Sequence, residues 1–318
     1  MRWRNLLLGG GAAVGAAATY NALARRAVTP LANPLGGEEG TLEWRGHEVA
    51  YTVRGSGPPV LLVHSIHAAA WSYEWKDNVE TLARQHTVYA LDLLGFGRSS
   101  RPSIRYSARL YLSLISEFVE EVVGAPCALV ASSLTAAYAL VLGARDPARF
   151  PAIVVVEPTG LVRLSDKAGA PGDVARLGID SPVLGTAFFN GLVSRNNLRG
   201  FLELVYQDDD LVTDEMVEAY YAASHQPGAK HAPAAFVAQQ LNIDVRHAVR
   251  RLTQPALLVW GEQARMEPID EIRPFLTLHP DFETAIFDPS GDLPHSERAP
   301  EFNEIVLGFL ARAEAARS

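Results

Sequence analysis

Ala128-Leu129-Val130-Ala131-Ser132-Ser133-Leu134-Thr135-Ala136 is a short apolar run that meets two serines and resumes as a helix-forming stretch, which reads as a strand turning sharply into a helix. Two upstream segments have the same character. Val60-Leu61-Leu62-Val63-His64 is a buried strand ending in a loop, and Tyr89-Ala90-Leu91-Asp92 is a strand followed by Leu93-Leu94-Gly95-Phe96-Gly97-Arg98-Ser99, a D-x-x-G-x-G-x-S turn. From Thr41 onward, short β-branched or apolar runs alternate with amphipathic segments. Strands are expected at Thr41-Trp44, Glu48-Val53, Val60-His64, Thr87-Asp92, Ala128-Ala131, Ala152-Val156, Ala256-Gly261 and Glu283-Phe287. Alternation of this kind predicts a mostly parallel sheet with helices on both faces.

Together these segments resemble the α/β-hydrolase fold superfamily, in the capped branch that includes epoxide hydrolases, haloalkane dehalogenases, C–C bond hydrolases and esterases. The resemblance covers about residues 41 to 312, including Gly291-x-x-Pro294-His295-x-Glu297-Arg298 and a final helix. It implies an α/β fold with an eight-stranded sheet and a helical cap between strands six and seven. The domains expected are an N-terminal segment at 1–26, a linker at 27–40, a core at 41–159 and 253–318, and a cap at 160–252.

The family's chemistry needs a nucleophile on a strained elbow, an acid, a histidine base and two backbone N–H groups for an oxyanion. The nucleophile position falls on Ser133, but G-x-S-x-G has become Ala131-Ser132-Ser133-Leu134-Thr135. The oxyanion donors implied are the N–H groups of Leu134 and Ile66, although the family's His-Gly is here His64-Ser65, which removes a permissive glycine. In Trp260-Gly261-Glu262-Gln263-Ala264 the usual aspartate position holds Ala264, and Glu157 after the sixth strand is the alternative acid. Asp292 occupies the histidine position of the family's G-H-x-P-H. A carboxylate is a weak base near neutrality unless burial raises its pKa, and it lacks a second nitrogen for relay. His295 reads as structural; His64 and His67 lie in the oxyanion loop and are candidate pocket residues with Trp71. Tyr73, Trp75, Tyr206, Tyr220 and Tyr221 are further candidates for aromatic walls or for plain packing.

The chain has 318 residues, 48% hydrophobic and 20% charged, which suits a folded protein with a sizeable core. Lys plus Arg number 28 against 36 Asp plus Glu. The first 26 residues contain Arg2, Arg4, Arg25 and Arg26 and no acid, so the rest is strongly acidic, which argues against a nucleic-acid partner. Leu6 to Ala24 is uncharged and closed by Arg25-Arg26. It reads as a membrane anchor or as a signal segment with an Ala22-Leu23-Ala24 cleavage pattern, its orientation undecided by the flanking charges. The expected location is accordingly membrane-anchored or exported.

Cys127, the single cysteine, excludes an internal disulfide and reads as core. No phosphate-binding G-x-x-x-x-G-K, dinucleotide fingerprint or metal-ligand spacing is present, so no cofactor and no metal are inferred. Two functions stay open. One is a hydrolase or related enzyme with a rearranged site for a small hydrophobic molecule, and the other is an inactive, membrane-tethered binding or scaffold protein.

Overall fold

The computed structural model describes residues 2–26, 28–166 and 169–317. Residues 1 and 27 of the expected leader and linker, 167 and 168 of the expected cap, and 318 lie outside them. Helix α1 (Arg2–Arg26) precedes the sheet strands β1 (Glu38–Trp44), β2 (His47–Arg54) and β3 (Pro59–Val63). Next come α2 (Val79–Leu82), β4 (Thr87–Leu91), α3 (Ala108–Phe118), β5 (Ala128–Ser132), α4 (Ser133–Arg145) and β6 (Ile153–Val156). Helices α5 (Ala170–Asp180), α6 (Leu184–Leu192), α7 (Arg195–Val205), α8 (Asp214–Ser224), α9 (His231–Val237) and α10 (Arg246–Val249) fill the insertion. The chain closes with β7 (Ala256–Gly261), α11 (Ile272–Leu278), β8 (Glu283–Phe287), α12 (Pro294–Glu297) and α13 (Ala299–Ala315).

The eight strands form one sheet in the order β1-β2-β4-β3-β5-β6-β7-β8. The pairs β1–β2 and β2–β4 are antiparallel, and all the others are parallel. The central strands read as continuous apolar runs because both faces are covered. Along β3, Leu61 and Val63 join one core cluster while Val60 and Leu62 join the other, so alternate side chains pack on opposite layers. Each such burial contributes about 1.5–3 kcal/mol. Cys127 is fully buried in the first cluster, and burial pushes its thiol well above the ordinary range.

The D-x-x-G-x-G-x-S turn shows why its residue types are needed. The buried Asp92 carboxylate accepts from the Ser72 N–H at 2.8 Å and from the Arg98 Nε at 2.8 Å. Gly97 has φ 51°, and a Cβ there would lie 2.2 Å from Asp92 Oδ1, so the glycine lets the turn close on its own aspartate.

The N-terminal segment forms one helix whose last turns rest on the cap. Asn21 Nδ2 donates to the Val183 carbonyl at 2.9 Å, Asn190 Nδ2 donates to Asn21 Oδ1 at 3.0 Å, and Ala24 is buried. Among the described residues no helix is long and apolar enough to cross a membrane, so a spanning anchor gains no support.

The C-terminal ends of β7 and of the loop after β8 approach so closely that Gly261 has no room for a side chain. A Cβ there would meet the Gly291 carbonyl at 1.9 Å and the Ser290 carbonyl at 2.7 Å. Gly261→Ala is therefore expected to cost about 2–4 kcal/mol by forcing backbone apart, read as a lowered urea midpoint with the slope unchanged. A midpoint within about 0.5 kcal/mol of wild type would show that the approach is not a constraint.

Candidate active site

Ser133 begins α4 with φ 52°, in the left-handed region that non-glycine residues rarely occupy. The turn therefore holds its side chain out from both strand and helix, and Ser133 is half-buried at the wall of a cavity of about 320 Å³ beneath the cap. Two substituted glycines turn out to be tied down. Thr135 Oγ1 lies 2.8 Å from the Ser132 carbonyl and 3.0 Å from the His64 carbonyl, which binds the first turn of α4 to the end of β3. Ser65 donates both its N–H (2.9 Å) and its hydroxyl to the carboxylate of Glu74.

Glu74 is a hub that the sequence reading missed. It also accepts from the Ser132 hydroxyl, and its Oε1 lies 3.3 Å from His295 Nε2. Burial opposes its ionisation, but His295 and the two serine hydroxyls prevail and hold its pKa at about 2. His295 is itself fully buried against Trp75, with ring centroids 4.6 Å apart, and its carbonyl accepts from Asn78 Nδ2 at 2.8 Å. The available signal was an acid inside the aromatic run Trp71-Ser72-Tyr73-Glu74-Trp75, where a buried carboxylate requires partners.

Asp292 and Glu157 line the same cavity as Glu74. The loop after β7 has no acid at Ala264, and its backbone instead wraps the Asp292 carboxylate. The N–H groups of Arg265 (3.0 Å), Met266 (2.7 Å) and Glu267 (3.0 Å) all donate to it. Glu157, at φ 47°, follows β6, and its Oε1 accepts from the Gly261 N–H at 3.0 Å. The two carboxyls are close enough that each perturbs the ionisation of the other. Burial first, and then Asp292, push Glu157 well above the usual carboxylate range. Burial also raises Asp292, against the pull of its three backbone donors. Two carboxyls in contact cannot both ionise cheaply. The better-solvated charge belongs on Asp292 and the proton on Glu157.

Glu267 adds a further buried carboxyl, pushed up to about 8 by burial and by neighbouring Glu271, against Arg163 at 3.7 Å. The remaining wall is mostly apolar, with Ile66, Leu164, Phe201, Val205, Phe236 and Leu293.

The expected histidine partners of Ser133 are otherwise occupied. His64 is fully buried, with Nδ1 2.6 Å from the Ser65 carbonyl and Nε2 accepting from the Leu93 N–H at 3.1 Å, so it is a neutral structural group outside the cavity wall. His67 does line the cavity. Its Nδ1 accepts from the Ala69 N–H at 3.3 Å, and burial lowers its pKa to about 4, leaving a neutral ring. Trp71 is also displaced from its expected place: it stacks on Tyr73 at 5.5 Å within the cluster that joins core to cap, away from the cavity. Of the expected aromatic walls, only Tyr220 lines it. Among the described residues, Ser133 Oγ has no hydrogen-bond partner. Ile66 lines the cavity, and Leu134, as the second residue of α4, has no intrahelical acceptor for its N–H.

A serine on a left-handed strand–helix elbow and two neighbouring carboxyls thus line one cavity beneath a helical cap. The profile of the alpha/beta hydrolase family matches residues 60–305, and the chain belongs to that family. It is 24% identical over 275 residues to 2-hydroxy-6-oxo-6-(2'-aminophenyl)hexa-2,4-dienoic acid hydrolase of Metapseudomonas resinovorans, covering 84% of this chain and 89% of that one. It is 27% identical to 2-hydroxymuconate semialdehyde hydrolase of Pseudomonas sp. (strain CF600), covering 82% of this chain and 90% of the relative. Among solved structures, a serine hydrolase involved in carbazole degradation superposes with a TM-score of 0.73 at 22% identity, over 87% of this chain and 99% of that one. A membrane phospholipase A superposes with a TM-score of 0.71 at 22% identity, over 97% of this chain and 96% of that one.

A group whose pKa is raised on folding binds its proton more tightly in the native state, so stability falls as pH climbs from the ordinary value of 4.5 toward the raised one. Glu157→Gln keeps a donor toward Asp292 but has no proton to lose. Its Tm is expected to decline less than that of wild type between about pH 5 and pH 8, with each kcal/mol appearing as about 2–4 °C. Parallel Tm–pH curves for the two proteins would refute the raised pKa.

Proposed function

We propose that this protein is a hydrolase of a small, largely apolar and uncharged carbonyl compound, and that the Glu157–Asp292 pair supplies its acid–base chemistry. The carrying observation is that Glu157 and Asp292, each accepting from backbone N–H donors, line the same cavity as Ser133. Asp292 takes a proton from the attacking water, and Glu157 returns one to the departing group, so the pair ends each turnover with one proton, as it began. A raised pKa makes Asp292 a stronger base than an ordinary aspartate and keeps Glu157 protonated as an acid near neutrality. Ser133, without a base in hydrogen-bond reach, donates its hydroxyl to the substrate; the N–H groups of Ile66 and Leu134 are the candidate donors for the developing oxyanion.

Charge favours a neutral substrate. With Glu157 and Glu267 pushed toward their neutral forms, the cavity wall carries the carboxylates of Glu74 and Asp292 against the single guanidinium of Arg163, a balance still one charge negative. The first relative above is named for a dienoic acid, and a carboxylate of that kind would meet repulsion here. The alternative of an inactive binding protein has no observation of its own in its favour. Attachment of the N-terminal segment to a membrane is part of the proposal, through surface contact and not through a span.

Asp292→Asn is expected to lower kcat/KM toward neutral aryl and alkyl esters or ketones by about 10²–10⁴-fold, and Ser133→Ala by a smaller factor through KM. Wild-type turnover should follow a bell in pH, rising as Asp292 ionises and falling as Glu157 loses its proton. Fast fluorophosphonate labelling of Ser133, with activity abolished in Ser133→Ala and retained in Asp292→Asn, would instead establish a serine nucleophile.

A further inference from the structure

A second cavity, of about 710 Å³, lies between the end of α1 and the cap, away from Ser133. Its lining carries basic residues, Arg25 and Arg26 from α1 and Lys230 and His231 at the start of α9, together with His225 at the end of α8, whose pKa burial lowers. Arg25 and Arg26 are exposed and have no ion-pair partner among the described residues. Lys230 is buried, and its ammonium donates to the carbonyls of Asp180 (3.0 Å) and Ser181 (2.8 Å), which aligns it without neutralising it. The Asp180 carboxylate is the nearby acid, and it is engaged with His231 at 2.9 Å and Arg176 at 3.7 Å.

His225 is locked in place. Its ring stacks on Tyr221 at 3.8 Å, and Nδ1 lies 2.9 Å from the Tyr221 carbonyl. Nε2 is left without a partner. Thr186 and Asn190 from α6 and Asn21 from α1 add polar groups to the wall. In a chain of net charge -8, the three cationic side chains Arg25, Arg26 and Lys230 around one cavity are a local reversal of the protein's field, and an oxyanion would take up the charge they leave unpaired.

We propose that this cavity binds a phosphate oxyanion, with Lys230 and the Arg25-Arg26 pair as its charge partners. Such a group comes either from a soluble phosphate monoester or from the headgroup of an anionic lipid. The surroundings favour the lipid. Leu23 on α1 and Leu184, Phe188 and Leu192 on α6 are exposed apolar side chains, and the last three recur on one face of their helix. Apolar surface flanked by arginines is the composition that rests in a lipid interface without spanning it. The site does not depend on the chemistry assigned to Ser133, Glu157 and Asp292.

The test uses the full chain with two ligands. Glycerol 3-phosphate is titrated calorimetrically, and flotation is measured with vesicles of phosphatidylcholine alone or mixed with phosphatidylglycerol. The variants are Arg25→Gln with Arg26→Gln, on exposed positions, and Lys230→Met, checked for native folding by circular dichroism. If the lipid is the source, phosphatidylglycerol vesicles recruit the protein and both variants weaken recruitment by at least about tenfold, equivalent to ~1.4 kcal/mol. If the source is soluble, glycerol 3-phosphate binds with the same sensitivity to the variants, and recruitment is indifferent to phosphatidylglycerol. Absence of binding in both arms, or binding that a folded Lys230→Met leaves unchanged, overturns the site. Should Lys230→Met fail to fold, the arginine pair decides in the same way, binding unchanged by it being the overturning result.

Discussion

Four carboxyl groups share the wall of one mostly apolar cavity, and a protein can bury them only by giving each a donor or a proton. Both solutions are used. Glu74 stays ionised because two serine hydroxyls, a backbone N–H and His295 surround it. Glu157 is pushed toward its protonated form because burial and the neighbouring Asp292 make a second charge costly. The ionised hub holds the elbow loop in place, and the Glu157–Asp292 pair is the one to which we assign the chemistry.

This division accounts for the unusual residues of the elbow. Glycine normally permits close approach in such a turn, whereas here Thr135 and Ser65 replace that permissiveness with directed hydrogen bonds. The loop after β7, which offers no acid side chain, contributes its N–H groups to Asp292 instead. Where the family places a histidine and an aspartate, this chain has Asp292 and Ala264, with Glu157 beside Asp292; in this fold function resides in the site, and it is to this carboxyl pair that we assign the acid–base chemistry.

The strands were legible from sequence because a doubly covered parallel sheet writes itself as short continuous apolar runs, and the shortness of Val60 to His64, bounded by Gly57-Pro58-Pro59, and the β-branched Ile153 to Val156 mark strand and not helix. Ser133, Glu157 and Asp292 were legible as positions, since each follows a recognisable strand or motif. Their relationship was not. Contact between Glu157 and Asp292 depends on the close approach of the segments at Gly261 and Gly291, a long-range packing fact that local pattern does not carry. Glu74 was hidden for a similar reason: nothing near it in sequence reveals that His295 lies beside it in the fold. Trp71 and His64 misled because an aromatic or a histidine near an active-site loop serves packing as readily as binding.

The central claim is that the Glu157–Asp292 pair holds one proton near neutral pH. Carbon NMR of the side-chain carboxyls in protein labelled at Glu and Asp, assigned with Glu157→Gln and Asp292→Asn, measures it directly. The account predicts that the Glu157 carboxyl keeps a protonated shift at pH 7 while Asp292 shows a carboxylate. A Glu157 signal that titrates near its ordinary value of 4.5, independently of Asp292, would contradict it.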